Sequence, residues 1–530
     1  MDSSKIKGII FIIIAMFVAI YLGVGAATSQ VEAVLWVVAG ITLAVLLALG
    51  RNVWVVIPIA AAFTGGITLI PGFPQPWYAA TPIVGVFMVI MFLMRSPMFT
   101  FRWTWLDTFM LLQAFALWQT YVRNPTGLAL FGNDIFGGRP YFDYAVGITC
   151  YFLLSVVKTD IQTFKKVAIL VIIANIGDDL LRAATNLSGN LSVAVGRFYS
   201  NVDYQSNSAG ASFTFDADTR FGGFMPIGIT LALVCFAFRR PLSCAIPKPF
   251  WPFLCAIAAV VFVLLSGFRS ALIRVACYFI AGSLIRRKPL DIVAAAVAVT
   301  LLLFVTGATL GLSNLPMGAQ RALSFLPFEV SDEAKYGAKA SSDWRFEMWK
   351  IVLTSDKYIQ NKLLGDGFGY SKAEHYAQMK AMEGTGNYDG DSIDMFIAKG
   401  SYHGWHVEAI RFTGVIGLII GLFLLFGFAR YAWKAVKHYR HSEYLSYVLF
   451  ICIPFLIEPF FYIFVFGSYK SGFVELIASA GIIRLLDNIR VAELSALRLQ
   501  APEPDPIPRM QGHQRTPALT AQMGRISSGS

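Results

Sequence analysis

Apolar residues fall along this chain in blocks of about 17 to 24, the length a helix rising about 1.5 Å per residue needs to cross a hydrocarbon layer of about 30 Å. The blocks do not alternate apolar and polar positions as membrane-barrel strands do, so the pattern predicts an all-α, polytopic membrane protein. Spans are expected at residues 6–24, 31–50, 53–70, 79–94, 104–122, 141–157, 166–182, 221–238, 250–267, 270–285, 289–311, 406–429, 443–465 and 471–485, about fourteen in all. The first block, Ile9 to Leu22, follows Lys5 and Lys7 as a signal peptide would. No small-residue cleavage site closes it and a second span follows at once, so it is expected to stay as the first helix.

Taken alternately, one set of connections collects nearly every basic cluster: Lys5/Lys7, Arg51, Arg95/Arg102, Lys158/Lys165/Lys166, Arg239/Arg240/Lys248, Arg286/Arg287/Lys288, Arg430/Lys434/Lys437/Arg440 and Arg484/Arg490. The positive-inside rule makes that side cytoplasmic, along with both termini, and sends residues 71–78, 123–140, 183–220 and 312–405 outside. The chain then divides into N-terminal helices with an external loop (1–220), helices with an external turn at Arg269 (221–312), a long external loop (313–405), C-terminal helices (406–485) and a cytoplasmic tail (486–530) rich in Pro, Gln, Ser and Gly and expected to be disordered. Within the long loop, Ser342 to Ser355 repeats apolar residues at helical spacing after a Ser or Asp cap, which predicts a short amphipathic helix along the outer interface.

Composition agrees: 56% of residues are hydrophobic and 14% charged, with mean hydropathy +0.61, too apolar for a soluble chain of 530 residues. The net charge of +11 would suggest nucleic acid in a soluble protein; distributed as it is here, it encodes orientation, and no nucleic-acid partner is expected. Six cysteines in or beside apolar blocks show no spacing of a disulfide framework or zinc site.

Chemistry is sought on the outer side. Arg197, Arg220, Arg269, Arg321 and Arg345 stand there against the charge bias, and Arg269 sits in a very short break between two apolar runs, at the mouth of a tight helical hairpin. An ionisable group at that depth needs a partner, and guanidinium forks converging on one pocket suit a diphosphate without metal. The competing reading is interfacial snorkelling or pairing with Asp216 or Asp218, favoured for Arg197 and Arg321. His375, His403 and His406 are the outer histidines, and an imidazole at the membrane surface suits general-base work. His403, His406 and Glu408 lack the i, i+4 spacing of a zinc helix, so no metal and no cofactor is expected. Asp389, Asp391 and Asp394 read as a solvated loop, and Trp103, Trp105, Trp118, Trp251 and Tyr78 as interfacial anchors.

Three stretches resemble the O-antigen ligase and O-antigen polymerase superfamily of bacterial membrane glycosyltransferases. His403 with Gly414 and Gly417 matches the His that closes the family's last long external loop. Phe268-Arg269-Ser270-Ala271 looks like its Ser-Arg-Gly-Ala turn, and Arg345, Trp349 and LLGDGFG (Leu363 to Gly369) are similar to its Arg, Trp and Gly-rich turn. The match covers residues 220–430; it departs at Gly404, where the family commonly has Asn, and at Phe412, where it has an acid. The resemblance implies a GT-C-like helical fold in the bacterial inner membrane, a periplasmic loop over 313–405, and a donor glycan on undecaprenyl diphosphate. The acceptor is then a second glycan (polymerase, favoured by the span count) or lipid A core or protein (ligase), in O-antigen, capsule or exopolysaccharide synthesis. His403 would orient or deprotonate the acceptor hydroxyl; Arg269 and Arg345, with Arg220, would hold the diphosphate during an inverting transfer, and His406 would bind substrate. A secondary transporter is the rival reading, with Asp178, Asp179 and Glu458 as its buried charges.

Overall fold

A computed structural model describes residues 40, 44–70, 72, 74–127, 137–200, 221–309, 314–315, 317–324, 329–369, 400 and 402–500. Two compact units divide the chain, residues 1–489 and 490–530; of the second, residues 490–500 are described, as helix. The helices in chain order are α1 (Ala44–Ala61), α2 (Pro76–Leu93), α3 (Trp105–Arg123), α4 (Arg139–Ser155), α5 (Ile161–Leu187), α6 (Gly189–Gly196), α7 (Phe224–Phe238), α8 (Phe250–Ser266), α9 (Arg269–Ile285), α10 (Leu290–Thr309), α11 (Met317–Leu323), α12 (Asp332–Thr354), α13 (Trp405–Tyr439), α14 (Leu445–Phe460) and α15 (Gly472–Gln500). The sheet among the described residues is one antiparallel ribbon, β1 (Gly66–Ile67) on β2 (Tyr199–Ser200).

Four of these helices are long and apolar enough to cross a membrane: α1, α2, α13, and α14 extended through a π-helical turn to Val465. The helices α7, α8 and most of α10 are equally apolar but shorter. Their outer faces carry what a membrane protein exposes. Val86, Val89 and Leu93 on α2, Leu301 and Phe304 on α10, and Ile419, Phe423 and Phe426 on α13 lie bare at helical spacing, whereas Gln113, Arg411, Arg484 and Asp487 are buried. Apolar outside and polar inside inverts the pattern of a water-soluble domain and marks the protein as membrane-embedded.

Several boundaries differ from the hydropathy reading. The break expected at Arg51 is a kink, with Gly50 at φ +50° leading into a 3-10 turn that continues as helix to Ala61; residues 62–70, expected within a span, leave the helix to form β1. The amphipathic helix expected from residue 342 begins ten residues earlier, at Asp332. The last helix runs on to Gln500, past the expected end at 485, and the remainder of the tail, 501–530, lies outside the described residues.

Packing centres on α7, α13 and α14. Helix α7 lies against α5, α8, α9 and α14, and α13 against α3 and α14. At Gly228 the α7 backbone comes so close to α8 that an added Cβ would stand 3.0 Å from the Ala259 carbonyl oxygen; small residues let membrane helices approach this way. The connections tie together in two sets. In one, Lys158 N donates to Met98 O at 2.7 Å, Arg102 pairs with Asp487, Arg240 with Asp291, and Arg286 caps the carbonyls of Phe236 and Ala237 that end α7. In the other, Asp178 clamps the ribbon, accepting from Thr64 Oγ1 (2.8 Å) and Tyr199 OH (2.6 Å), Gln75 Nε2 donates to Glu475 at 2.7 Å, and Gly137 N donates to Phe368 O at 2.9 Å.

Arg484, which charge counting places among solvated cytoplasmic residues, is wholly buried. Its guanidinium spans both oxygens of Asp107 at 3.2 Å, lies 3.6 Å from Asp487 and donates to Arg102 O at 2.7 Å. Asp107 also closes a capping box with Thr104 at the start of α3 and accepts from Tyr151 OH at 2.6 Å. Removing one partner of such a network strands a buried charge, at a cost of about 3–5 kcal/mol.

Candidate functional site

The hairpin expected at Arg269 is present. Helix α8 ends at Ser266, Gly267 takes the left-handed conformation (φ +69°) that only a residue without Cβ adopts cheaply, and Arg269 is the first residue of α9. The turn is closed by Gly267 N on Leu264 O at 3.2 Å and by Phe268 N on Ser266 Oγ at 3.4 Å. Arg269 is half-buried at this corner.

Arg345 comes to the site on α12. One face of this helix carries Arg345, Met348, Trp349 and Val352 at i, i+3, i+4 and i+7, with Met348 and Val352 fully buried. The Arg345 guanidinium lies 5.5 Å from the Trp344 ring centre, and its Nε is buried without a hydrogen-bond partner among the described residues. Burial first, and the nearby charge of Arg269 second, hold its pKa below the usual arginine range. Two guanidinium groups within reach of each other repel, and could together accept an anion.

His403 stands at φ +48°, unusual for a residue with a Cβ, in the turn that enters α13. Its ring meets Trp344 edge-on at 5.5 Å and Phe466 at 5.8 Å. Burial, and then the charge of Arg345, lower its pKa from 6.5 to about 4, so the imidazole is neutral at pH 7. Trp349 fixes this turn: its Nε1 donates to Tyr402 O at 2.7 Å, and its ring sits where a Cβ on Gly404 would come within 2.8 Å. That contact explains why position 404 is glycine here. His406 meets Trp349 edge-on at 4.7 Å, so His403 and His406 face different tryptophans.

The third motif, Leu363 to Gly369, joins the first through the backbone. Helix α13 breaks at Gly414 (φ +74°, ψ −178°), a region of backbone space essentially reserved for glycine. The Gly-rich turn fills the break: Asp366 N donates to Arg411 O at 2.9 Å, Gly367 N to Phe412 O at 3.0 Å, and Val415 N to Lys362 O at 2.9 Å. Backbone groups freed by a helix break in an apolar bundle must be satisfied by protein, and this turn satisfies them. Arg411, fully buried, donates to Gly367 O and Gly369 O at 3.1 and 3.0 Å, and Arg123 at the end of α3 donates to Leu364 O and Gly365 O at 2.9 and 2.6 Å. The turn is therefore a structural clasp, its carbonyls already engaged. Phe412, at the second departure from the family pattern, is buried against Phe368 at 4.8 Å.

Arg269, Arg345 and His403 are thus brought together, with His406 one aromatic ring away. Arg197 caps α6 and Arg321 lies in α11. Arg220, His375, Asp216, Asp218, Asp389, Asp391 and Asp394 lie outside the described residues. Sequence reasoning missed Arg123, Arg411 and Arg274; the last pairs with Glu458 at 2.7 Å, and a lone arginine inside the apolar run of α9 was the signal that could have flagged it. Compared with known protein families the chain matches no family model, and it matches no curated protein sequence.

Proposed function

We propose that this protein transfers or polymerises glycan units carried on undecaprenyl diphosphate, as a member of the O-antigen ligase and polymerase superfamily, at the periplasmic face of a bacterial inner membrane. In this reading about fourteen spans form a GT-C-like bundle with both termini cytoplasmic. The two sets of tied connections support it, since each joins segments that charge counting assigns to the same side.

One observation carries the proposal: Arg345 and His403 both stand 5.5 Å from the Trp344 ring, close enough to Arg269 for its charge to bear on Arg345, although the three come from separate stretches of sequence. The two guanidinium groups hold the diphosphate and stabilise its growing charge as the glycosidic bond breaks, while the neutral His403 imidazole accepts the proton of the attacking acceptor hydroxyl. Attack opposite the departing diphosphate inverts the anomeric carbon. Arrival of the anion offsets the field of the arginines, which makes His403 a better base once donor is bound. His406, against Trp349, lines the approach to the same turn.

The test is incubation of purified protein with lipid-linked repeat units. His403→Ala should abolish product while the protein stays in the membrane; an active variant refutes the assignment. Loss of chain length with retention of single repeats in a deletion strain identifies a polymerase, and loss of all ligated glycan a ligase. The rival transport reading draws on the Gly414 break and the buried Arg274–Glu458 pair, since transporters use broken helices and buried charges; solute uptake into vesicles indifferent to lipid-linked glycan would establish it.

A further inference from the structure

His403 is held in a conformation that its own turn does not favour. Its φ of +48° lies in the left-handed region, and a residue with a Cβ stays there where its surroundings over-determine it. Those surroundings act on the residue just before it. Tyr402, fully buried, is bonded through both of its backbone groups: Trp349 Nε1 donates to its carbonyl at 2.7 Å, and its own N–H donates to the carboxylate of Glu408. Glu408 lies in the first turn of α13, where its N–H bonds Gly404 O at 3.0 Å, and its side chain reaches back to the turn that carries His403.

The same carboxylate also reaches sideways. Glu408 Oε2 accepts from Tyr469 N at 2.6 Å and from Ser468 Oγ at 3.3 Å, both in the connection from α14 to α15. That connection carries Phe466, whose ring meets His403 at 5.8 Å, and it runs so close to the start of α13 that a Cβ on Gly467 would stand 2.9 Å from the Trp405 Cβ. Tyr469 is a fixed anchor. Its carbonyl accepts from Tyr144 OH at 2.6 Å, and its hydroxyl accepts from Gln113 Nε2 at 2.5 Å and lies 2.8 Å from Thr413 Oγ1, so α3, α4 and α13 all hold it.

An acid in the first turn of a helix ordinarily serves the helix dipole. Glu408 is buried more deeply than that task requires, at 2% exposed, and its carboxylate is met by the charge of Lys470 and by three donors outside its own helix. Burying a carboxylate is costly unless it is bonded and paired, and its two acceptor oxygens are what serve several donors at once. We infer that Glu408 is a positioning residue for His403, binding the Tyr402 N–H and the α14–α15 connection with one carboxylate and so fixing the imidazole against Trp344 and Phe466. Resting on the glycan-transfer reading, Glu408 touches neither donor nor acceptor and acts on the proton transfer through His403.

Glu408→Gln keeps the size of the side chain but turns one acceptor into an N–H that meets backbone donors, and Glu408→Asp keeps the charge but is one methylene short. His403 is titrated in each, in full-length protein in nanodiscs, by NMR of ring-labelled histidine. Loss of the carboxylate charge alone would lower the His403 pKa, whereas freeing the turn lets water reach the ring and raises it; Arg345, which faces His403 from α12, stays in both variants. Both should therefore raise it from about 4 toward the ordinary 6.5. Arg484→Leu, which strands a buried charge beside Tyr431 further along α13, should leave it in place. A His403 pKa that stays or falls in Glu408→Gln, or that rises equally in Arg484→Leu, overturns the assignment. Should neither Glu408 variant fold, hydrogen exchange of the wild type decides: the amides of Tyr402 and Tyr469 should be protected, and free exchange of either overturns it. Titration and exchange need no donor, so a wild type without transferase activity refutes the glycan-transfer reading and leaves the anchorage of His403 standing. In the transfer assay both variants should lose about tenfold to a hundredfold in kcat with both KM values within about twofold of wild type, and a loss confined to KM overturns the positioning role.

Discussion

Lowering the pH from 7.5 to 5.5 tests the electrostatics of the site. An ordinary histidine with pKa 6.5 would be about nine-tenths protonated at pH 5.5, and a general base that needs its neutral form would lose about tenfold in kcat/KM. His403, held down to about 4 by burial first and by Arg345 second, is still almost wholly neutral at that pH. The acid limb of kcat/KM, which reports the free enzyme, should therefore fall near 4, and that of kcat should lie higher, because bound diphosphate counters the arginines. Removing the Arg345 charge in Arg345→Met should move the kcat/KM limb upward while leaving it below 6.5, since burial remains. Titration of ring-labelled histidine by NMR, with the His403 signal identified through His403→Gln, checks the same pKa without turnover. Stability follows with the same sign: the unfolded chain takes up the proton from about 6.5 downward and the folded chain only from about 4, so this contribution is present above 6.5 and is lost as the pH falls through that window. A wild-type acid limb near 6.5, or one that does not move in Arg345→Met, would refute the coupling of Arg345 to His403.

Arg269→Lys keeps the charge and loses the fork, so donor-dependent activity should fall by about tenfold or more in the lipid-linked donor assay, with protein yield unchanged. Gly414→Ala places a Cβ 2.1 Å from Leu363 O at φ +74°, and should destabilise the protein by about 3 kcal/mol or more, seen as a lower melting temperature in detergent. Arg484→Leu leaves Asp107 buried without its cation, while Asp487 keeps Arg102, and should cost about 3–5 kcal/mol; restoring stability by adding Asp107→Asn would show that the stranded charge is the cause. Trp349→Phe deletes the hydrogen bond to Tyr402 O and should cost about 1 kcal/mol in stability, with a larger proportional loss of activity as the His403 turn loosens.

The Arg269 hairpin was legible because everything it needs is local: two apolar runs, a Gly able to turn left-handed, and too few residues between for anything but a corner. The helix that carries Arg345 was legible as a periodicity, though its start was set too late, since Asp332 to Ser341 is polar and offers no apolar stripe to read. Arg484 was misread for the opposite reason. A basic residue just past an apolar run looks like a cytoplasmic anchor, and only its partner Asp107, 377 positions away, shows it to be interior.

By itself the sequence determined that the chain is helical and membrane-embedded, because the length and spacing of apolar blocks are set by backbone rise and hydrocarbon thickness and need no partner to be read. It also showed which arginines and histidines stand in the connections between apolar runs, where they are available for chemistry. The tertiary structure alone decided that Arg345 and His403 meet at the Trp344 ring, that the Gly-rich turn is spent closing the break at Gly414, and that Arg274 and Glu458 pair. Each of these depends on which helices pack side by side, and burial, charge coupling and backbone satisfaction are properties of that packing rather than of any stretch of chain.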